Sequence, residues 1–94
     1  PNEPACLLLA GNIRQDLGDL EGAARHLEKA VRVAANFAQA WNNLGIGYEQ
    51  LGRFADARKA YEKALEVDPN NTYIRNNYEL FREIYDRQNR RRDR

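Results

Sequence analysis

Asparagine carboxamides are the polar groups with the most regular placement in this 94-residue sequence. Asn43 and Asn77 stand 34 residues apart, Asn42 and Asn76 precede them by one residue, and Asn12 lies earlier in the chain. A carboxamide carries N–H donors and an acceptor together, so a row of them can clamp an extended peptide backbone whatever its sequence. The bland alternative is tolerated surface that bonds locally along a helix, where asparagine is a mediocre helix former. The residues leave both readings open for Asn43 and Asn77, whereas Asn36 and Asn70 read as turn residues. Other chemistry is thinly provided. The chain has no serine, which excludes a serine-based triad within it. His26 has no Cys/His cluster around it, so no metal site is expected. Cys6 reads as a small packing residue rather than a nucleophile. Gly45 and Gly47 lie inside a helical pattern with no preceding strand, so they fail the context of a phosphate loop. No enzyme activity and no cofactor are therefore expected of these residues.

The elements that must position the asparagines are helices. Charged residues make up 31% and hydrophobic residues 43%, ordinary for a helical domain, and Pro4 to Pro69 is free of further proline. Shifted by 34 residues, segment 2–36 matches segment 36–70 at ten positions, including Gly11/Gly45, Leu17/Leu51, Gly18/Gly52, Ala23/Ala57, Glu28/Glu62 and Ala30/Ala64. Chance at ordinary composition gives about two. In the second unit Trp41, Leu44, Tyr48 and Leu51 form one apolar helical face, which Gly52 ends. Phe54, Ala57, Tyr61, Ala64 and Leu65 form a second face, stopped by Asp68-Pro69. The small residues at Gly11/Gly45, Ala23/Ala57 and Ala30/Ala64 let two antiparallel helices approach closely.

The second unit resembles the tetratricopeptide repeat (TPR) family, whose signature W-x2-L-G-x2-Y, A-x3-F and P stands here as Trp41, Leu44, Gly45, Tyr48, Ala57, Tyr61 and Pro69. Tyr61 in place of phenylalanine is the one departure. The first unit is looser, with Leu7, Ala10, Gly11, Arg14, Ala23, Leu27, Ala30 and Ala35 at the same places. The resemblance implies an all-α fold of antiparallel helix-turn-helix repeats stacked as a right-handed α-solenoid. It divides the chain into units at about 4–37 and 38–71 and a capping helix with a basic tail over 72–94. Tyr73, Tyr78, Phe81 and Tyr85 would form the apolar face of that cap, which turns its polar side to water. The lack of methionine and the phase of Pro1, two periods before Pro69, predict a piece of a longer array.

The resemblance also implies a concave groove lined by the first helix of each unit. Its positions are Leu8 and Asn12, with Ala5, Leu9 and Gln15, in the first unit. They are Gln39, Asn42, Asn43, Ile46 and Glu49, with Gln50, in the second, and Tyr73, Asn76, Asn77 and Leu80, with Glu83, in the third. Co-chaperone members of the family hold a C-terminal carboxylate with basic residues and asparagines. Asn12 and Asn43 match two of those positions, but the basic ones are filled by Leu8, Tyr73 and Asn77. A carboxylate needs charge-assisted bonds to hold it in water, so that clamp is expected to be absent; Arg75 lies one helix position away.

The expected partner is thus a protein or peptide in the groove. The alternative is an assembly module that stacks with repeats of another chain or with a missing part of the same protein. The run Leu7-Leu8-Leu9 points to a homodimer, with Leu7 in the core and Leu8 or Leu9 exposed. Glu28/Lys29 and Glu62/Lys63 read as solvated charge pairs. Residues 87–94 carry five arginines against one aspartate, a net +4 that leaves −3 elsewhere. That tail suits a helix C-terminus, and nucleic acid is not expected, since a larger basic face would be needed. No apolar run approaches the roughly 20 residues of a membrane span. With no signal or transmembrane segment the compartment stays open.

Overall fold

The computed structural model describes residues 3–92, with side chains through Arg87. The expectations placed on Pro1 and on the side chains of Arg90, Arg91, Arg92 and Arg94 lie outside those residues. Five helices follow one another: α1 Pro4–Asp16, α2 Leu20–Val33, α3 Ala38–Gln50, α4 Phe54–Val67 and α5 Thr72–Arg92. The chain is all-α, with α1/α2 and α3/α4 as antiparallel hairpins and α5 packed on α4.

Turn chemistry sets the hairpins. Gly18 and Gly52 adopt φ of +84° and +78°, the left-handed conformation that glycine reaches without a steric penalty. In both turns the two amides beyond the helix fold back onto its last carbonyls. Asp19 N donates to Arg14 O and Arg53 N to Tyr48 O, each at 2.8 Å, which closes a glycine-dependent C-cap. Asp19 then caps α2 by accepting from Gly22 N at 3.0 Å, and it also pairs with Arg14 at 2.8 Å.

Within each hairpin a glycine meets a large side chain. A Cβ built on Gly11 would fall 2.9 Å from Leu27 Cγ, and one on Gly45 would fall 3.1 Å from three atoms of the Tyr61 ring. The same glycine thus recurs at 34-residue spacing because the second helix needs room for its largest core residue.

Tyr61 continues the core into α5, with ring centroids 5.3 Å from Phe81 and 6.0 Å from Tyr78. Tyr85 reaches Phe54 at 6.2 Å. The packed face of α5 is therefore Ile74, Tyr78, Phe81 and Tyr85, spaced four, three and four residues. Tyr73, expected on that face, is exposed, and the fully buried Ile74 takes its place. The spacing of five from Tyr73 to Tyr78 rotates Tyr73 too far around the helix to share the stripe.

Three tyrosine hydroxyls tie consecutive helices to carboxylates. Tyr48 donates to Glu28, Tyr61 to Glu49 at 3.0 Å and Tyr78 to Glu62 at 3.0 Å. Glu28 and Glu62 are thus latches from one repeat to the next first helix, not merely solvated charges. Cys6 is exposed rather than packed, its Sγ 3.9 Å from Glu3 Oε2. No helix among the described residues is long and apolar enough to cross a membrane.

Candidate peptide-binding groove

The first helices α1, α3 and α5 lie side by side, and amides join them. Asn77 Nδ2 donates to Asn42 Oδ1 at 3.3 Å, Asn42 Nδ2 to Asn43 Oδ1 at 3.4 Å, and Asn43 Nδ2 to Asn12 Oδ1 at 3.0 Å. One relay of four carboxamides therefore crosses three helices. A second crossing runs from Gln15 Nε2 to Gln50 Oε1 at 3.0 Å. Each amide spends only part of its capacity on this relay. Asn12 keeps its donors and Asn77 its acceptor, so the two ends of the row still have groups to offer.

Burial sorts the groove positions. Asn42 is 0% exposed and Leu8 is buried in the core, so these two support the groove from beneath and do not line its open side. Leu8 packs with Leu7, and Leu9 is the exposed member of that run. Asn12, Asn43, Ile46, Glu49 and Asn77 are half-buried, while Gln39, Tyr73, Asn76 and Leu80 are exposed. Among the described residues no buried side-chain nitrogen or oxygen lacks a hydrogen-bond partner. Burying Asn42 therefore leaves no unpaired amide.

The apolar side of the groove is Leu9, the half-buried Ile46, and Tyr73, Leu80 and Ile84 along α5. Ile84 was not singled out from sequence, although it stands four residues after Leu80 and shares its face. The charged residues at groove positions are Glu49 and Glu83, with no lysine or arginine among them, and Glu83 pairs with Arg87 one turn further along α5 at 3.4 Å. Arg75 does not turn toward the groove; its Nη2 donates to Pro69 O at 2.6 Å. Where the resemblance places a clamp's basic residues, the structure has buried Leu8, exposed Tyr73 and Asn77 bonded to Asn42.

Burial, followed by the neighbouring Glu49 carboxylate, pushes the Tyr61 hydroxyl far above the usual phenol range. Burial and then the bond to Glu28 do the same at Tyr48. Both stay neutral and act as donors. His26 bonds through Nδ1 to Gly22 O at 3.0 Å on the outer helix, away from the groove. Among the described residues no group of three or more His, Cys, Asp or Glu could hold a metal ion. The arrangement offers hydrogen bonding and apolar contact along an open surface.

Two family models match the chain: Tetratricopeptide repeat over residues 38–71 and TPR repeat over 11–52. The human aspartyl/asparaginyl beta-hydroxylase is 35% identical over 83% of this chain, which spans 11% of that protein. The small glutamine-rich tetratricopeptide repeat-containing protein 2 of Mycosarcoma maydis is 28% identical over 80% of the chain, which spans 21% of it. An uncharacterized protein of Methanocaldococcus jannaschii is 30% identical over 64% of the chain and 70% of its own length. Among solved structures, the TPR domain of Sgt2 from Aspergillus fumigatus superposes with a TM-score of 0.89 at 26% identity, covering 96% of this chain and 61% of that one. The first TPR of Spaghetti, bound to an HSP90 peptide, superposes with a TM-score of 0.83 at 22% identity, covering 90% and 68%. That second likeness shows the fold alone.

Proposed function

The chain belongs to the tetratricopeptide repeat family, and from that premise we propose that it is a protein-interaction scaffold holding a peptide or helix of a partner in the groove of α1, α3 and α5. The observation that carries this is the carboxamide relay Asn77–Asn42–Asn43–Asn12, flanked by exposed Leu9, Tyr73 and Leu80. A backbone laid along the relay gains hydrogen bonds irrespective of its sequence, and the exposed side chains supply apolar area. That the fold can hold a peptide is seen in the first TPR of Spaghetti, which is bound to an HSP90 peptide.

The double substitution Asn43→Ala with Asn77→Ala tests this reading. Each lost bond is worth about 1 kcal/mol, so affinity for groove-bound partners should fall by about 30-fold for the pair. Partners captured by the wild-type chain should be depleted from a pull-down with the variant, while circular dichroism shows the helices intact. A full complement of partners on the variant would remove the groove from consideration.

A second reading has its own observation. Counting back by 34 from the packed face of α5, Ile74, Tyr78, Phe81 and Tyr85 correspond to Ala40, Leu44, Gly47 and Leu51, and then to Cys6, Ala10, Ile13 and Leu17. The first two sets are packed inside, whereas Ile13 and Leu17 are 50% and 80% exposed beside a hollow shared with Ala10, Arg14, Asp19 and His26. As an assembly module the chain would cover this face with a helix of another copy. Light scattering over a concentration series should then show a dimer that Leu17→Lys abolishes. A monomer mass throughout would eliminate this reading.

A further inference from the structure

We propose that the uncovered face of α1 closes on the same face of a second copy, with the two α1 helices antiparallel about a two-fold axis. Across that axis Cys6 meets Leu17 and Ala10 meets Ile13. The inference rests on the assembly reading above, and it adds which residues meet and in which direction.

Repeat phase marks this face as one that takes a helix. Cys6, Ala10, Ile13 and Leu17 are spaced four, three and four residues, as are Ile74, Tyr78, Phe81 and Tyr85 on α5. Such spacing keeps one stripe of a helix turned toward a neighbouring helix. On α5 the equivalent stripe is packed on α4, and on α3 the equivalent Ala40 and Leu44 are buried where that helix meets α2. On α1 the stripe is open: Ile13 is 50% and Leu17 80% exposed, and Cys6 is exposed with a free thiol. A hollow beside it, lined by Ala10, Ile13, Arg14, Leu17, Asp19 and His26, leaves room for the side chains of a second helix. Arg14 and Asp19 line that hollow as an ion pair at 2.8 Å, so covering it strands neither of their charges.

The order of small and large residues along the stripe identifies the occupant as a second copy. Cys6 and Ala10 fill its first half, Ile13 and Leu17 its second. An antiparallel two-fold axis passing between residues 11 and 12 exchanges the halves, so each large side chain meets a small one. Large packed against small lets the axes approach toward the short end of the usual range of about 8–10 Å. A parallel pair would set every residue against itself. Ile13 and Leu17 would then crowd their own copies at one end, while Cys6 and Ala10 left a gap at the other. The helix dipoles favour the same direction. In the antiparallel pair the positive start of each α1 lies beside the negative end of the other, whereas a parallel pair brings like poles together.

The single cysteine of the chain makes the register measurable. Within one α1, positions 6 and 17 are about 16 Å apart at the rise of an α-helix. A disulfide spans at most about 7 Å between Cα atoms, so a bridge between these positions forms only between copies. The whole chain is oxidised with diamide as wild type, as Leu17→Cys, and as Leu17→Cys with Cys6→Ala. Non-reducing electrophoresis reads the products, beside light scattering of the wild-type chain over a concentration series. Leu17 is exposed, so its replacement leaves the core untouched, which circular dichroism verifies. Leu17→Cys should shift from monomer to dimer mass and return with reductant. The other two should stay at monomer mass, because like positions of the antiparallel pair lie about 16 Å apart along its length. A wild-type dimer in solution with no bridge in Leu17→Cys, or with a bridge between like positions in either of the other two, would overturn the antiparallel pairing and leave the assembly reading standing. A monomer mass at every concentration would overturn both.

Discussion

Replacing Tyr61 by alanine is expected to remove a large share of the stability of the fold. Tyr61 is 1% exposed and lies where α3 and α4 meet α5. Its ring covers the Gly45 backbone, packs on Phe81 and Tyr78, and sends its hydroxyl to Glu49. Truncating a buried aromatic costs about 3–5 kcal/mol through lost transfer energy and the cavity left behind. A domain of this length has on the order of 5–14 kcal/mol in all. The melting temperature followed by circular dichroism should fall by about 15–30 °C. Tyr61→Phe keeps the ring and loses only the bond to Glu49, so it should cost about 1 kcal/mol. A Tyr61→Ala variant that melts within a few degrees of wild type would show that α5 and α4 are not joined through this ring.

The second large effect is a loss of stability in alkali. Burial first, and the partner carboxylates next, raise the ionisation of Tyr48 and Tyr61 well above the ordinary phenol value of 10.0, and Tyr78 is raised in the same direction. In the unfolded chain these phenols lose their protons near pH 10. Above that pH the native state holds more protons than the unfolded state, so stability must fall as pH rises. Below it both states are protonated and the contribution is complete. Each tyrosine still protonated in the native state removes about 1.4 kcal/mol per pH unit. Tyr48 and Tyr61 together give about 3 kcal/mol per unit on the same relation. Melting temperature should therefore drop steeply above about pH 10. The double variant Tyr48→Phe with Tyr61→Phe should lie lower at neutral pH and show a flatter alkaline slope. A wild-type chain whose melting temperature holds level across that range would contradict the buried, carboxylate-paired hydroxyls.

Local chemistry made much of the fold legible. The face Trp41, Leu44, Tyr48 and Leu51 and the stop at Gly52 depend on contacts within one helical turn or on the φ of one residue. A sequence records such things directly. The 34-residue shift carried that reading to the first unit, and φ of +84° at Gly18 matches +78° at Gly52. The groove was legible only as a set of positions. Spacing placed Asn12, Asn43, Ile46, Asn77 and Leu80 on first helices but could not say how deep each would sit. Asn42 and Leu8, assigned to the same set, are buried because α1, α3 and α5 pass close enough to cover them. Tyr73 and Ile74 exchanged places for a rotational reason, since one residue of offset turns a helix by about 100°.

By itself, the sequence determined the repeat, its hairpins, the glycine that opens each hairpin to a large side chain, and the row of carboxamides on the first helices. Tertiary structure alone decided what those amides do to one another. Asn77 reaches Asn42 and Asn43 reaches Asn12 across separations of 35 and 31 residues, and Glu28 and Glu62 find tyrosines on the next first helix. Such bonds depend on the distance between helix axes, which the summed packing of the whole core sets and no local spacing encodes. The asparagine row that the sequence offered as a peptide clamp is thus first a bond between repeats, and what it presents to a partner is the capacity left over.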